Sequence, residues 1–517
     1  MKRHIKNPLF TTLFIFTFVS CATAAPKVML EMDFTKDSTY WKAVFPTPQW
    51  NEAKTNYFVN IKTLKKNMYG FEGAFGAFNP GENIMAQPVY LEDSTQFRKW
   101  AFRLSNKGNS YIELPQLTNV GRFTVFCKNA STMEPGEFYI QQLNGKNWET
   151  IRTIYVPPHY NQNYEQAVEE FLNINKKVKL RVYGSTKNIH IYGMRAHAFD
   201  KKEPQEKPLR LILLPDPQTY AQFKKLNFLY GLQTSWIANQ SDSIMFVLNQ
   251  GDLTQKNNDP EFSVSAGAMT ILYGKKVPYT FVPGNHDMGS PTNANERNTT
   301  FLNKYYPVSR YERLPWFGGV FEAGKMDNSW HTFQWKNYKF LILSLEFGPR
   351  NKVLEWARQI VEKHPDYNII LNTHAYMFRD DTRQGYKPDH PGRPQSYGIG
   401  KDTGDDYAND GQEIWDKLVK LYPNFIFTFN GHVTSRGVGH QVDTGVNGNK
   451  VYQFLANYQG GVDGTVNGGN GFLRIVDVNP EKGTFSIKTY SPHTKEYKTE
   501  NDQQFYYENV HFVTSQQ

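Results

Sequence analysis

The stretch SIMFVLNQGD, Ser243 to Asp252, decides how the rest of the chain is read. Its apolar core, Ile244 to Leu248, is short for a helix and lacks the in-out alternation of a strand with one wet face. Such a run suits a strand covered on both faces, as in parallel sheets flanked by helices. It ends in Asn249, Gln250, Gly251 and Asp252, which places a carboxylate just beyond the strand's carboxyl end.

The same pattern recurs on either side. RLILLPD ends at Asp216, VPYTFVPGNHD at Asp287, YNIILNTH at His374 and NFIFTFNGH at His432, with YKFLILSLEFG as a further apolar run. Between them QFKKLNFLYGLQTSWIANQ, PEFSVSAGAMTILYG, NKVLEWARQIVEKH and GQEIWDKLVKLY carry helical spacing. Buried strands alternating with helices predict an α/β domain. From about Gly437 the chain returns to strands, in KVYQFLANYQ, GFLRIVDVNP and TFSIKTYSP.

Asp216, Asp252, Asn285, His374 and His432 each fall at or just after a strand end. Open α/β sheets bind ligands at the carboxyl ends of their strands. Singly, each has a plain explanation: Asp216 as a turn acid before Pro217, Asp252 as a helix cap, the histidines as satisfied core residues. Chance would have to put all five at the same end, so together they predict one metal-binding site.

Taken in order, PDPQ at Pro215, GD at Gly251, GNHD at Gly284, TH at Thr373 and GH at Gly431 resemble the signature of the calcineurin-like metallophosphoesterases. The tail LANYQGGVDGTVNGGNGFLRIVDVNP and TYSP is similar to the C-terminal part of secreted bacterial members. The resemblance implies a four-layer α/β/β/α domain holding two divalent metal ions (Mn, Mg, Zn or Fe). That pair would clamp a phosphate and generate hydroxide for in-line attack. It also implies roles. Asp252 would bridge both ions; Asn285, His374 and His432 would complete the second; Asp216 and Gln218 would serve the first. His286 would stand beside the phosphate as transition-state stabiliser or proton donor, with Asp287 orienting it.

Two positions depart from the pattern. Gln218 stands where many members carry histidine, and Thr434 where many place the second histidine of G-H-x-H. The first metal site thus loses imidazole at both places, which predicts a weaker site favouring harder ions such as Mn²⁺ or Mg²⁺. Substitutes are sought in His440 or in an acid of the polar stretch Tyr376 to Asp410. That stretch reads either as a functional loop, with Arg379, Arg383 and Arg393 gripping substrate anions, or as an inert insertion.

Upstream, residues 27–203 alternate short aromatic and β-branched runs with turns, as in GRFTVFCKN, GEFYIQQLNG and KVKLRVYGS. This rhythm predicts an all-β sandwich domain before the α/β domain of residues 209–517, with FDKKEPQEKPLR as linker. Trp41, Trp50, Tyr57, Phe58, Phe71, Phe75 and Phe78 read mainly as core residues and secondarily as a glycan-binding face. Residues 1–24 read as an export signal, with Lys2, Arg3 and Lys6 before the apolar Leu9 to Val19 and a small-residue site at Ala22-Thr23-Ala24. Cys21 offers a lipid-anchored alternative. Cleavage would leave Cys127 alone, without an internal disulfide, and would lower the formal charge from +9 to +6. No dense basic run accompanies that surplus, so nucleic acid is not an expected partner. The expected protein is a secreted or periplasmic phosphoesterase. Its substrate would be a phosphorylated small molecule or the phosphate of a glycan or lipid. The rival reading is an envelope glycan- or lipid-binding protein with a weakened site.

Overall fold

A computed structural model describes residues 28–33, 49–50, 57–60, 79–80, 84–90, 97–104, 110–129, 136–156, 166–184, 188–198, 209–290, 293–462 and 464–514. The export signal, Cys21 and the side chains of the seven upstream aromatic residues lie outside this description.

The N-terminal region is all-β. An eight-stranded sheet faces a five-stranded one, and every strand pair is antiparallel. The smaller sheet contains β1 (Tyr111–Glu113), β2 (Gly136–Asn144), β3 (Asn147–Val156) and β4 (Leu180–Gly184). Their order is β3-β2-β4-β1, with Asn79–Pro80 at the edge. Alternation sets the layers: Ile112, Phe138, Ile140, Leu180 and Val182 point inward and meet Val120, Phe123, Val125 and Ile191 of the larger sheet in one core.

The second region stacks two seven-stranded sheets. The first holds β5 (Leu209–Leu214), β6 (Phe246–Asn249) and β7 (Tyr279–Thr280) in parallel. The second holds β8 (Tyr338–Leu345), β9 (Tyr367–Thr373), β10 (Phe425–Asn430) and β11 (Lys450–Ala456), again parallel. The tail returns to the first sheet as β12 (Leu473–Asn479), antiparallel to β5. Leu211, Leu213, Phe246 and Leu248 pack across the middle against Ile342, Ile370, Phe427 and Phe454. Both faces of these strands are thereby covered, which explains their unbroken apolar runs.

Helices close the outside. Over the first sheet lie α1 (Gln218–Gln222), α2 (Asn227–Ala238) and α3 (Asp259–Gly274). Asn258 caps α3 by accepting from the Glu261 amide at 3.0 Å. Over the second sheet lie α4 (Asn351–Glu362) and α5 (Gly411–Lys417). Val353, Leu354, Ala357, Ile360 and Val361 form the buried stripe of α4, and a capping box between Asp410 and Glu413 starts α5. The layers run α/β/β/α.

Candidate metal centre

Both parallel sets point their carboxyl ends at the same rim. Asp216, Asp252 and Asn285 follow β5, β6 and β7, while His374 and His432 follow β9 and β10. Three of these residues turn off their strands with left-handed backbone: φ is 33° at Asp216, 51° at Asp252 and 73° at His432. Side chains other than glycine adopt this region at a cost, and the turns re-aim the ligands from the strand axis into the rim.

The tightest grouping surrounds His374. Its Nε2 lies 3.1 Å from Asn285 Oδ1, 3.2 Å from Asp252 Oδ1 and 3.2 Å from His432 Nδ1. The other ring nitrogens are spent on backbone carbonyls, His374 Nδ1 on Gln250 and His432 Nε2 on Gly392, each at 2.7 Å. In the neutral rings those bonds place the protons on the outer nitrogens, so that a bound cation would meet lone pairs on the converging ones. His374 Nε2 and the three atoms 3.1–3.2 Å from it offer the donor set of a divalent ion with ligands at about 2.0–2.2 Å.

The neighbouring grouping belongs to Asp216. Its Oδ2 accepts from the His432 amide at 2.8 Å and from Asn457 Nδ2, whereas Oδ1 is buried without a hydrogen-bond partner. Gln218 reaches Asp252 Oδ2 at 2.7 Å through Nε2, which also donates to Gln459 Oε1 at 3.0 Å; its own Oε1 is a second buried orphan. Gln218 thus touches the cluster as a donor, not through the oxygen expected of a ligand. Oxygen acceptors of Asp216, Asp252 and His374 nitrogen lie within 4.8 Å of one another. Asp252, with one oxygen toward each grouping, is placed to bridge. Burial, with Asp252 nearby, pushes Asp216 up to about 8. Burial and His374 hold His432 down to about 3. Burial would also depress His374, but Asp252 beside it raises it to about 9. His374 offsets the buried charge of Asp252, and divalent cations held by these acids, amide and imidazoles would do the same, so the residues present fit metal ions.

Other expectations fall out differently. His286 is half-buried at the rim, with its amide donating to Asp252 Oδ1 at 3.1 Å and its Nδ1 2.9 Å from the Gln255 carbonyl. Asp287 does not orient that ring. Its two oxygens accept from the amides of Leu253, Thr254 and Gly284 and from Thr254 Oγ1, all at 2.9 Å. Asp287 braces the loops carrying Asp252 and Asn285, and the Gln255 carbonyl takes the place beside His286.

Neither proposed substitute for Thr434 is one. Thr434 is exposed, and His440 sits against Phe505 and Asp381. The amides Asn457 and Gln459, directly after β11, fill that side instead. The stretch Tyr376 to Asp410 is packed rather than inert: Ile399 joins Met288, Ala294 and Phe347 in a small core, and Gly392 supplies the carbonyl that anchors His432. Arg383 is buried, bonded to Gln412 at 2.9 Å and to Asp443, and stacked 4.5 Å over Trp415, so it is not an anion grip. Arg379 lies over Phe378, and Arg393 stands 3.6 Å from Asp410.

The α/β/β/α core thus gathers these acids, amides and imidazoles at one rim. In comparison with known proteins, residues 209–435 match the family model described as calcineurin-like phosphoesterase. A curated relative, the uncharacterized protein YvnB of Bacillus subtilis (strain 168), is 24% identical over 304 residues, which are 57% of this chain and 21% of that one. The chain therefore spans about a fifth of the length of the curated relative it matches. Among solved structures, purple acid phosphatase PPD1 from yellow lupin (Lupinus luteus) seeds aligns at 9% identity with a TM-score of 0.36, covering 82% of this chain and 79% of that one. The CBM22-1 xylan-binding domain of Paenibacillus barcinonensis Xyn10C aligns at 8% identity and TM-score 0.21, covering 34% and 98%.

Proposed function

We propose that this chain is an exported metal-dependent phosphoesterase acting at a cell envelope, on a phosphorylated small molecule or on the phosphate of a glycan or lipid. The observation that carries the reading is the ring of acceptors around His374 Nε2, with Asp252 turned between it and Asp216. A pair of divalent cations bound there would neutralise substrate charge and supply activated water. Asp252, Asn285, His374 and His432 would hold one ion, and Asp216 with Asp252 the other, more weakly.

The remaining work falls to the protein. Gln250 and Gly392 keep the two imidazoles in the ligating tautomer. His286, anchored through Nδ1, presents Nε2 at the rim, where it donates a proton to the leaving oxygen as the P–O bond breaks. Export is supported by the charged-apolar-small pattern of residues 1–24.

The test is hydrolysis of p-nitrophenyl phosphate and bis(p-nitrophenyl) phosphate with Mn²⁺, Mg²⁺, Zn²⁺ or Fe²⁺. Metal-dependent turnover that disappears in Asp252→Asn is expected. Turnover that survives this change refutes the site.

A further inference from the structure

We propose that the outer face of the five-stranded sheet in the N-terminal region is a binding platform for a neutral polysaccharide. Strand register places Tyr111, Tyr183 and Tyr139 side by side across β1, β4 and β2. The next row holds Glu113, Arg181, Gln141 and Thr150, reaching into β3. These residues alternate with the inward Ile112, Phe138, Ile140, Leu180 and Val182, so the core does not require them.

A wet sheet face needs only polar or β-branched side chains. This one carries four aromatic rings, three of them arranged around a cation. Tyr111 and Tyr183 are nearly parallel, with centroids 6.4 Å apart and planes 11° apart. The Arg181 guanidinium lies 4.8 Å and 4.7 Å from those centroids and 4.4 Å from that of Trp148, which reaches over from β3. Hydrogen bonds fix the planar groups: Arg181 Nε donates to Gln141 Oε1 at 2.7 Å, Gln141 Nε2 to Thr150 Oγ1 at 3.0 Å, and Tyr139 OH to Glu137 Oε1 at 2.8 Å. Little rotamer freedom is left to lose on binding.

Half-buried rings interleaved with planar amide, guanidinium and carboxylate groups suit a pyranose, which has an apolar C–H face and hydroxyls at its edge. Four strands give a span of about 14 Å, enough for a short run of sugars. Arg181 and Lys179 are balanced by Glu113 and Glu137, with Lys179 paired to Glu113, so these residues leave no surplus to attract a polyanion. The far end of β3 is bonded to the catalytic domain: the Tyr155 amide and carbonyl meet the Asn239 side chain at 3.3 Å and 3.2 Å, and Lys275 Nζ donates to the Thr153 carbonyl at 3.0 Å. A glycan held on the platform would be tethered to the phosphoesterase domain.

The test is affinity electrophoresis of the full chain in gels containing soluble glucan, mannan or xylan, with polygalacturonate as the anionic counterpart. Retardation by at least one neutral polysaccharide is expected. Trp148→Ala and Tyr183→Ala should each weaken it by about tenfold, whereas Tyr183→Phe, which keeps the ring, should retain it. Far-UV circular dichroism and aryl phosphate hydrolysis should be the same in all variants. Retardation by none of the neutral polymers, by polygalacturonate alone, or equally in wild type and both alanine variants overturns the proposal.

Discussion

Gly431 lies so close to Asp216 that a methyl group on its Cα would overlap the carboxylate oxygen Oδ1. Gly284 stands in the same relation to Oδ1 of Asp252. The glycines of the GH and GNHD segments are therefore steric: each leaves room for an acid arriving from another strand, and those acids are the candidate bridging and first-site ligands. Gly431→Ala should push Asp216 aside. We expect a stability loss of about 1–3 kcal/mol from overpacking and a fall in kcat/KM of about a hundredfold, as for misplaced catalytic groups. Thermal melts and steady-state kinetics on the same preparation check both. Wild-type activity in the alanine variant would show that the rim tolerates a shifted Asp216.

His286 and Asp287 are neighbours in sequence with separate tasks, and substitution should separate them. His286→Ala removes a half-exposed ring held by one carbonyl. It should lower kcat by about 10²–10⁴, more for alkyl than for p-nitrophenyl esters, because only the poorer leaving group needs the proton. The melting temperature should hardly move. Asp287→Asn places an amide NH₂ among four donors that now meet a carboxylate. It should cost about 2–4 kcal/mol of stability and lose activity through the displaced loops. Equal melting temperatures for the two variants would contradict this division.

The two ion sites should differ in strength, since imidazoles serve one and only the carboxylates of Asp216 and Asp252 the other. Calorimetric titration of Mn²⁺ into chelator-treated protein should show one tight and one weaker event. His432→Ala should remove the tight event. Asn457→Ala should loosen the weak one by about 10–100-fold, because Asn457 and the His432 amide hold Asp216 Oδ2 and leave Oδ1 turned free. Chelation should lower the melting temperature and metal should restore it. Two equally tight sites would contradict the assignment.

Much of this was legible in the chain because strand ends announce themselves: an apolar run stops and a ligand follows. The layered α/β core and the grouping of Asp252, Asn285, His374 and His432 both rest on that signal. Asn457 obeys the same rule, standing directly after Ala456 at the end of β11. It was missed because nothing local says that β11 runs parallel to β10, a pairing set by tertiary packing. Gly392 had no side-chain signature, since it acts through a carbonyl. Asp287 misled through its adjacency to His286, whereas its oxygens turn back to three loop amides. In the N-terminal region alternation marked the strands, but only the register across β1, β4, β2 and β3 lines up the tyrosines and Arg181 in rows.

The junction between the sandwich and the α/β domain should respond to pH through Glu170. Arg152 joins Glu170 at 3.1 Å to Asp242 of the α/β domain at 3.3 Å, and Lys275 lies near the same group. Burial pushes Glu170 up to about 7, with Lys275 and Arg152 opposing the shift only in part. The folded value exceeds the unfolded one, so the protonated carboxyl favours the folded form. Its contribution is complete below the unfolded value, near 4.5, and is lost as pH rises through about 7. The full swing is at most about 3 kcal/mol. Wild-type protein should therefore melt at a higher temperature at pH 5 than at pH 8. Glu170→Gln, which cannot ionise, should flatten that slope and narrow the gap by several degrees. Melting curves of both proteins across this range decide it: an unchanged slope in the glutamine variant would assign the pH dependence to another group.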